Sequence, residues 1–560
     1  MKIKTPLPLL LTIVVFLAAC GPAATPEPTP TAPPAPTSAP TEPPAPTVTP
    51  APAGPWWNNT VFYEIFVRSF KDSDGDGIGD FNGIVEQLDY LEQLGVRGLW
   101  LMPIHPSPSY HGYDVTDYYD VNPDYGTLAD FKNLLAEARK RNIRVIIALV
   151  LNHTSAQHPW FRQALQGQSE YKDWYIWSDT DPGFAGPWGA KAWHKASNGQ
   201  YYYAIFWDQM PDLNYDNPAV RAEVNKITAF WLQDVGVDGF RLDAIRYLDE
   251  DGRVLQDSAT THAYLKEWGA DYRSLNPQAF TVGEVWTSNT SVVKYLQGDE
   301  LDSAFNFDFS LNSDSSLRRA LGEGNGTIVN FLLADMLRAY PRQNNANFLT
   351  NHDMNRAASL AVGRDPLGQG KAAAGLLLTT PGIPFIYYGE EIGMTGVKPD
   401  ERLRTPMQWT GEPKAGFTTG TPWQMINADY TERNVADQAG DPASLLEHYR
   451  RLIALRNTHP ALSGGATSLV KSDSRKLVSY LRVSGEQAVL VIVNVDDQPA
   501  ADYTLTLDKG PLAGAYTATS LLDAAPVTAP VVNAAGGFDA YAPLAELPPY
   551  AVLVLELAPQ

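Results

Sequence analysis

The chain has 560 residues, of which 44% are hydrophobic and 19% charged, which is enough for a large core and more than one domain. Its formal net charge of −21 at pH 7 excludes nucleic acid as a partner, because a polyanion would be repelled. The single cysteine, Cys20, excludes an intramolecular disulfide bond and a cysteine metal site.

The first twenty residues have the pattern of a secretory signal. Two lysines precede an apolar run over 7–19, which is too short to span a bilayer, and the run ends in the letters LAAC. This ending resembles the lipobox of bacterial lipoproteins, in which the cysteine becomes the lipidated N-terminus. We therefore predict a signal peptide over 1–20, lipidation of Cys20, and an extracytoplasmic protein held to a bacterial cell membrane by this lipid alone.

The next segment, 21–54, consists almost entirely of Pro, Ala and Thr. Such a composition cannot form a core and predicts a disordered, extended linker. At roughly 3 Å per residue, the linker would hold the following domain on the order of 100 Å from the membrane.

Beyond the linker, strand-like apolar runs alternate with amphipathic helical runs. In 128–142 and 326–340, apolar residues recur at intervals of three and four, which predicts helices. Eight strands, each followed by a helix, favour an α/β fold of the (β/α)8 TIM-barrel type over an open sheet. The predicted strands are 61–67, 98–104, 144–152, 239–244, 279–285, 303–308, 345–353 and 384–391.

Two regions depart from this alternation. A long stretch rich in Trp, Tyr and Gly follows the third strand and predicts an inserted B subdomain over 154–216. The barrel is then divided into 55–153 and 217–463. Short alternating apolar runs over 464–560 predict a C-terminal antiparallel β-sandwich domain.

The chemistry of a TIM barrel is carried at the C-terminal ends of its strands. In the stretch GVDGFRLDAIRY (236–247), side chains alternate along a strand, so Arg241 and Asp243 face the same way. Alone, such a pair is an ordinary ion pair closing a strand. Together, the strand ends supply three carboxylates, two imidazoles and a guanidinium: His153, Arg241, Asp243, Glu284, His352 and Asp353. This coincidence predicts an active site.

Three carboxylates on one face suit the hydrolysis of glycosidic bonds. One attacks the anomeric carbon, a second protonates the leaving oxygen and then activates water, and a third supports an oxocarbenium-like transition state. We find no nucleotide-binding loop, zinc-spaced histidines or serine nucleophile elbow in the sequence. The aromatic content of 11% suits both an ordinary core and a cleft that stacks on sugar rings.

From about residue 57 onward, the chain resembles the α-amylase family, glycoside hydrolase family 13. Several short regions of that family occur here in order, on the expected elements. They are LVLNH (149–153), MPDLN (210–214), GFRLDA (239–244), GEVW (283–286), FLTNHD (348–353) and GIPFIYYGEE (382–391).

The resemblance implies a retaining hydrolase with Asp243 as nucleophile, Glu284 as general acid and base, and Asp353 as the stabiliser of a distorted sugar. Arg241 would keep Asp243 ionised, whereas Glu284 needs a raised pKa to carry its proton. A retaining mechanism expects about 5–5.5 Å between the two reacting carboxyl groups. One position departs from the family pattern, because Ala148 stands where an aspartate usually supports the arginine.

The resemblance also implies residues that bind the substrate. His153 and His352 match histidines that hydrogen-bond the sugar at the cleavage point, and Tyr113 matches the aromatic residue on which that sugar stacks. Asp114 and Arg404 match residues that clamp a terminal glucose in exo-acting oligoglucosidases.

The loop DSDGDGIGD (72–80) has oxygen ligands at alternate positions, but Gly83 stands where an EF-hand requires glutamate. It resembles the calcium loop of oligo-1,6-glucosidase-type members, which implies bound Ca2+. Asn152 and Asp212 match a second calcium site of many α-amylases, although Tyr247 replaces its usual histidine. The ligands implied in the first loop are Asp72, Asp74, Asp76, Asp80 and the Ile78 carbonyl.

The preferred linkage is indicated by Ala244, because in oligoglucosidase-like relatives a small residue after the nucleophile accompanies α-1,4 specificity. We therefore expect an α-amylase acting on starch, glycogen or maltooligosaccharides, with no obligate protein partner evident. An exo-acting α-glucosidase, a cyclomaltodextrinase or neopullulanase-like enzyme, and a non-catalytic glycan-binding relative stay open as alternatives.

Overall fold

The computed structural model describes residues 54–167, 170–311, 315–361 and 364–560. The predicted signal peptide, Cys20 and nearly all of the predicted linker lie outside the described residues. Within the described ranges, no helix combines the length and the apolar character needed to cross a membrane.

Eight parallel strands close into a barrel, which confirms the predicted (β/α)8 class. The first strand of the barrel pairs with both the second and the last, so the sheet has no free edge. The strands up to the end of the barrel are β1 (Phe62–Ile65), β2 (Gly98–Leu101), β3 (Arg144–Leu149), β4 (Trp177–Ser178), β5 (Trp193–Lys195), β6 (Tyr201–Tyr203), β7 (Gly239–Leu242), β8 (Phe280–Gly283), β9 (Ser303–Phe305), β10 (Asn345–Phe348) and β11 (Ile383–Tyr387). The barrel order is β1-β11-β10-β9-β8-β7-β3-β2.

Several barrel strands end earlier than the apolar runs predicted. β3 ends at Leu149 rather than at 152, and β10 ends at Phe348 rather than at 353. Ladder pairing stops there, and the chain continues as loops at the C-terminal mouth of the barrel. Apolar residues continue beyond the last hydrogen-bonded residue of each strand, so the sequence alone does not show where strand pairing ends.

The helices surround the barrel and connect its strands. The predicted helix over 128–142 ends at Lys140, because Asn142 adopts a left-handed conformation with φ 55°. Its start is set by a capping box between Thr127 and Asp130. The helices are α1 (Val67–Phe70), α2 (Phe81–Glu86), α3 (Leu88–Leu94), α4 (Leu128–Lys140), α5 (Pro159–Leu165), α6 (Pro218–Ala229), α7 (Ala259–Leu275), α8 (Asn289–Val292), α9 (Ser316–Glu323), α10 (Gly326–Ala339), α11 (Ala357–Leu360), α12 (Pro366–Thr379), α13 (Val435–Gln438), α14 (Leu445–Thr458) and α15 (Pro460–Gly464).

The segment between β3 and α6 contains a small antiparallel sheet in the order β4-β6-β5. An isolated β-bridge between His153 and Asp212 joins its two ends beside the barrel mouth. Trp193, Tyr203 and Ile205 pack with Tyr247 in one apolar cluster, so this insertion rests directly on the loop that follows β7.

The C-terminal region folds into antiparallel sheets, as predicted. The main sheet has the order β12-β14-β15-β21-β18, beside the smaller sheets β13-β17-β19 and β16-β20. The strands are β12 (Ala466–Leu469), β13 (Lys471–Ser472), β14 (Leu477–Ser484), β15 (Gln487–Asn494), β16 (Ala500–Ala501), β17 (Leu505–Leu507), β18 (Tyr516–Ser520), β19 (Phe538–Tyr541), β20 (Glu546–Leu547) and β21 (Val552–Pro559).

A buried arginine joins this region to the barrel. Arg482 on β14 is fully buried and donates hydrogen bonds to the carbonyls of Ala461 (3.1 Å), Leu462 (3.0 Å) and Thr379 (3.4 Å). Burial lowers the pKa of Arg482 to about 10. Its role is to satisfy carbonyl groups at the ends of α12 and α15.

We expect Arg482→Met to lower the free energy of unfolding by roughly 1–3 kcal/mol, because the change removes the donor to the Thr379 and Leu462 carbonyls. Denaturant unfolding of the full chain measures the loss. Lys471→Met is the control and should change little, because this side chain is 73% exposed and pairs with the exposed Asp508. An equal loss in both variants would contradict the assignment.

Candidate active site

The three predicted catalytic carboxylates lie together at the C-terminal mouth of the barrel. Asp243 and Glu284 are the first residues after β7 and β8. Gly239 allows β7 and β8 to approach closely. Its φ is 150°, and a Cβ at this position would lie 1.9 Å from the carbonyl oxygen of Phe280. Only glycine fits this approach, so the register that aligns the two acids depends on it.

A single guanidinium joins the two acids. Arg241, which is 1% exposed, donates from Nη1 to Asp243 Oδ1 and from Nη2 to Glu284 Oε2 at 2.8 Å. The backbone N–H of Ala244 donates to the same glutamate oxygen at 3.1 Å. Ala244 adopts φ 50°, a left-handed conformation that turns this N–H toward the site.

The environment of Glu284 favours its protonated form. Burial raises the pKa of Glu284, the charge of Arg241 opposes this, and the carboxylates of Asp243 and Asp353 raise the pKa further. The net result is a pKa above the ordinary glutamate value, which suits a proton donor.

Ala148, at the position where the family pattern expects an aspartate, leaves Arg241 with one hydrogen-bond donor less satisfied. Ala148 on β3 pairs with Arg241 on β7 in the barrel register, so the two side chains face the same way. Arg241 Nε is buried, and within the described residues it has no hydrogen-bond partner. The face of the guanidinium packs 5.2 Å from the ring centre of Trp100. Arg241 is therefore held by two carboxylates and an aromatic ring.

The third acid is held by two cationic side chains. Asp353 Oδ2 lies 3.0 Å from His352 Nε2, and Arg404 Nη2 donates to Asp353 Oδ1 at 2.9 Å. Burial raises the pKa of Asp353, but His352 and Arg404 outweigh it and hold the pKa well below the usual range. Asp353 is thus a carboxylate at every physiological pH.

Glu64 on β1 was not among the predicted site residues, yet it belongs to this group. Its Oε1 lies 2.5 Å from His352 Nδ1, and Tyr113 OH lies 2.7 Å from the other ring nitrogen. The Tyr113 ring stacks on the imidazole with centroids 5.6 Å apart. The available signal was one carboxylate inside the apolar run VFYEIFV.

The remaining predicted binding residues lie on the same side of the mouth. His153 Nε2 is 3.2 Å from the carbonyl oxygen of Tyr113, and burial lowers its pKa to about 4. Asp114 accepts hydrogen bonds from Ser107 (2.7 Å) and Ser109. Asp114 and Arg404, both described, do not form an ion pair with each other.

An open cleft of about 780 Å³ extends from Glu284 and Asp353 and is lined by aromatic residues. Trp188, Phe206 and Tyr247 contact one another on one wall, with ring centroids 5.2–5.4 Å apart. Trp286, which also lines the cleft, stacks on Phe307 with ring centroids 4.6 Å apart. Trp188 is 56% exposed and Trp286 39% exposed, so both leave aromatic surface accessible to a ligand.

Three of the predicted calcium ligands lie together. One carboxylate oxygen from each of Asp72, Asp74 and Asp80 lies within 4.8 Å of the others. Asp76 is not part of this group, and its carboxylate accepts the Ile78 N–H at 2.7 Å.

At the predicted second calcium site, Asn152 donates to Asp212 at 2.9 Å. The Oδ1 oxygen of Asn152 is buried, and among the described residues it has no partner. Tyr247 places its ring in the neighbouring apolar cluster of the insertion.

Comparisons with known proteins agree with this geometry. Residues 64–465 match the family model described as "Alpha amylase, catalytic domain". "Alpha-amylase 3" of Dictyoglomus thermophilum is 42% identical over 451 residues, covering 79% of this chain and 86% of that protein. An oligo-1,6-glucosidase of Parageobacillus thermoglucosidasius is 34% identical, covering 79% and 91%. The crystal structure of Bacillus licheniformis trehalose-6-phosphate hydrolase superposes with a TM-score of 0.76 at 32% identity, covering 90% and 100%.

We expect Ala148→Asn to be more stable than the similarly sized Ala148→Leu by about 1.5–3 kcal/mol, because only the amide oxygen can accept the buried Nε–H of Arg241. The free energies of unfolding of the two variants measure this. Equal stability would mean that Arg241 Nε needs no acceptor from position 148.

Proposed function

Glycoside hydrolase family 13, the α-amylase family, is the family to which this chain belongs, and on that premise we propose that it is a retaining α-amylase. Its substrates would be the α-1,4-glucosidic bonds of starch, glycogen or maltooligosaccharides. The observation that carries the proposal is the bridge from Arg241 to Asp243 and Glu284 at the floor of an aromatic-lined cleft.

In the first step, an Asp243 oxygen attacks the anomeric carbon while the bond to the leaving oxygen breaks. Glu284 transfers its proton to that oxygen, so the leaving sugar departs as a neutral hydroxyl. A covalent glycosyl ester on Asp243 results. Sharing one guanidinium brings the two carboxyl groups close together, as this geometry requires.

In the second step, Glu284, now ionised, removes a proton from water. The hydroxide attacks the anomeric carbon and releases Asp243 as a carboxylate. Two displacements retain the anomeric configuration, and both catalytic groups return to their starting protonation states. Asp353 would accept hydrogen bonds from sugar hydroxyls, since His352 and Arg404 keep it ionised.

Internal cleavage of a polymer is supported by the open cleft and its exposed aromatic walls. Trp188 and Trp286 line the same cleft as Glu284 and would contact the bound chain. A small residue, Ala244, follows the nucleophile, as expected for α-1,4 bonds. Anchoring through Cys20 would place the enzyme outside the cell, where polymeric glucan is met first.

An exo-acting α-glucosidase is the second candidate, favoured by the presence of both Asp114 and Arg404. The similarity to an oligo-1,6-glucosidase points the same way. Asp114 accepts hydrogen bonds from serines and Arg404 donates to Asp353, and within the described residues no ion pair joins Asp114 to Arg404. A non-catalytic role is disfavoured because all three carboxylates are present.

We expect rapid release of mid-length fragments from a maltoheptaoside that is blocked at its non-reducing end. An endo-acting cleft does not need a free chain end, whereas an exo-acting one does. Timed product analysis measures this, with Glu284→Gln as the inactive control. Glucose released only from the unblocked chain would favour the second candidate, and no cleavage of either chain would contradict the hydrolase assignment.

We also propose that the 72–80 loop binds Ca2+ through Asp72, Asp74 and Asp80. Two oxygens bound to one Ca2+ at 2.3–2.6 Å lie no more than about 5 Å apart, and the three carboxylates meet this limit. The Asp72 carboxylate also accepts the N–H groups of Gly75 and Gly77, so the loop is already folded around the group. A bound cation would relieve the repulsion between these charges.

We expect a chelator to lower the thermal midpoint of the wild type by on the order of 3 °C or more, because Ca2+ binds only the folded loop. Asp74→Asn should abolish this sensitivity, whereas the matched Asp76→Asn should keep it, since Asp76 lies outside the group. Thermal melts with and without Ca2+ make the measurement. A wild type indifferent to the chelator would contradict the calcium proposal.

A further inference from the structure

Glu64 is a buried carboxylate that has no part in the mechanism above. It lies on β1 between apolar residues, is 2% exposed, and contacts His352 Nδ1 at 2.5 Å. A buried carboxylate is costly to the fold unless it is paired. The partner it has is the imidazole that faces the sugar site.

His352 lies between two carboxylates. On the opposite side from Glu64, Nε2 lies 3.0 Å from Asp353 Oδ2 and 2.7 Å from Tyr113 OH. A neutral imidazole carries one N–H, so only the imidazolium presents a hydrogen to both carboxylates. The titratable and charged side chains around it are Glu64 on β1, Tyr113 after β2, Arg241 on β7, Asp353 beside it, Tyr387 on β11 and Arg404 after β11.

We propose that Glu64 is a positioning residue that keeps His352 doubly protonated, so that Nε2 always carries a hydrogen and the ring a positive charge on the side of Asp353. The role in catalysis rests on the proposed function, because it presumes that the sugar lies against Asp353. The carboxylate of Glu64 acts only through the imidazole and does not touch the substrate.

Burial raises the pKa of Glu64, and His352 and Arg241 oppose this rise, so the negative charge of Glu64 depends on the imidazolium beside it. Burial lowers the pKa of His352, but Asp353 and Glu64 outweigh it and raise the pKa to about 9. The imidazolium therefore persists through neutral pH. If the charge of Glu64 were removed, this pKa would fall, and the neutral ring would carry one N–H instead of two.

Loss of that charge would leave the ring neutral above the lowered pKa. The Asp353 carboxylate draws the one remaining hydrogen to Nε2, and an amide at position 64 can donate to Nδ1. Nε2 then donates to Asp353 without the positive charge that strengthens this bond in the imidazolium. The defect would appear only above the lowered pKa, whereas a packing defect would be the same at every pH.

The test compares kcat/KM for maltoheptaoside in wild type and Glu64→Gln from pH 5 to pH 9. We expect the two proteins to be similar at pH 5 and the variant to fall progressively behind as pH rises. Each unit by which the assay pH exceeds the variant's His352 pKa costs about tenfold in imidazolium. Titration of Glu284 occurs in both proteins and largely cancels in the ratio.

Two further variants separate charge from packing. Glu391→Gln replaces another fully buried barrel glutamate, which accepts from Tyr63 OH at 2.7 Å and does not touch His352. Its activity relative to wild type should not vary with pH. Glu64→Asp keeps the charge, so any loss should also be independent of pH. A pH-independent ratio for Glu64→Gln would overturn the proposal.

A measurement without substrate keeps this outcome distinct from failure of the proposed function. NMR titration of ring-labelled histidines, with His352→Gln to assign the signal, gives the protonation of His352 directly. We expect titration near pH 9 in wild type and at a clearly lower pH in Glu64→Gln. An unchanged titration overturns the proposal even if the enzyme is active, and a shifted one supports it even if no α-glucan is cut.

Discussion

The active site depends on one buried cation shared between two acids. Arg241 bonds to both Asp243 and Glu284, and it stays charged because arginine does not lose its proton in proteins. A buried guanidinium is expensive unless its donors are satisfied, and here only Nε is left without a partner among the described residues. The barrel supplies this environment, since β7 carries Arg241 and leads into Asp243, and the adjacent strand β8 leads into Glu284.

The same cation serves two carboxylates that need opposite protonation states. A nucleophile must be ionised, whereas a general acid must hold a proton at neutral pH. Burial acts on Glu284 more strongly than Arg241 compensates, and two neighbouring carboxylates add to the effect, so its pKa rises. The raised pKa of Glu284 thus arises first from burial and then from the carboxylates beside it.

The surroundings of Asp353 have the opposite effect on its pKa, which is lowered. Two cations surround it, and one of them, His352, is itself held by Glu64. At the mouth of the barrel, negatively charged carboxylates therefore lie next to positively charged side chains that compensate their charge. Such a network is sensitive to the loss of any one charge, because the partner is left buried and uncompensated.

Periodicity in the sequence was sufficient to predict the barrel, its insertion after the third strand and the antiparallel C-terminal region. The alternation of Arg241 and Asp243 on one strand face also follows from sequence, because side-chain direction has a period of two. Which carboxylates from different strands meet, and that Glu64 joins them, required the closed barrel. Those contacts connect residues up to 288 positions apart, and a local pattern carries no information about such distances. Tertiary packing likewise decided three further features, since each depends on where a neighbouring part of the chain lies. These are the ends of the strands, the Arg241 Nε without a described partner beside Ala148, and the grouping of three loop aspartates without Asp76.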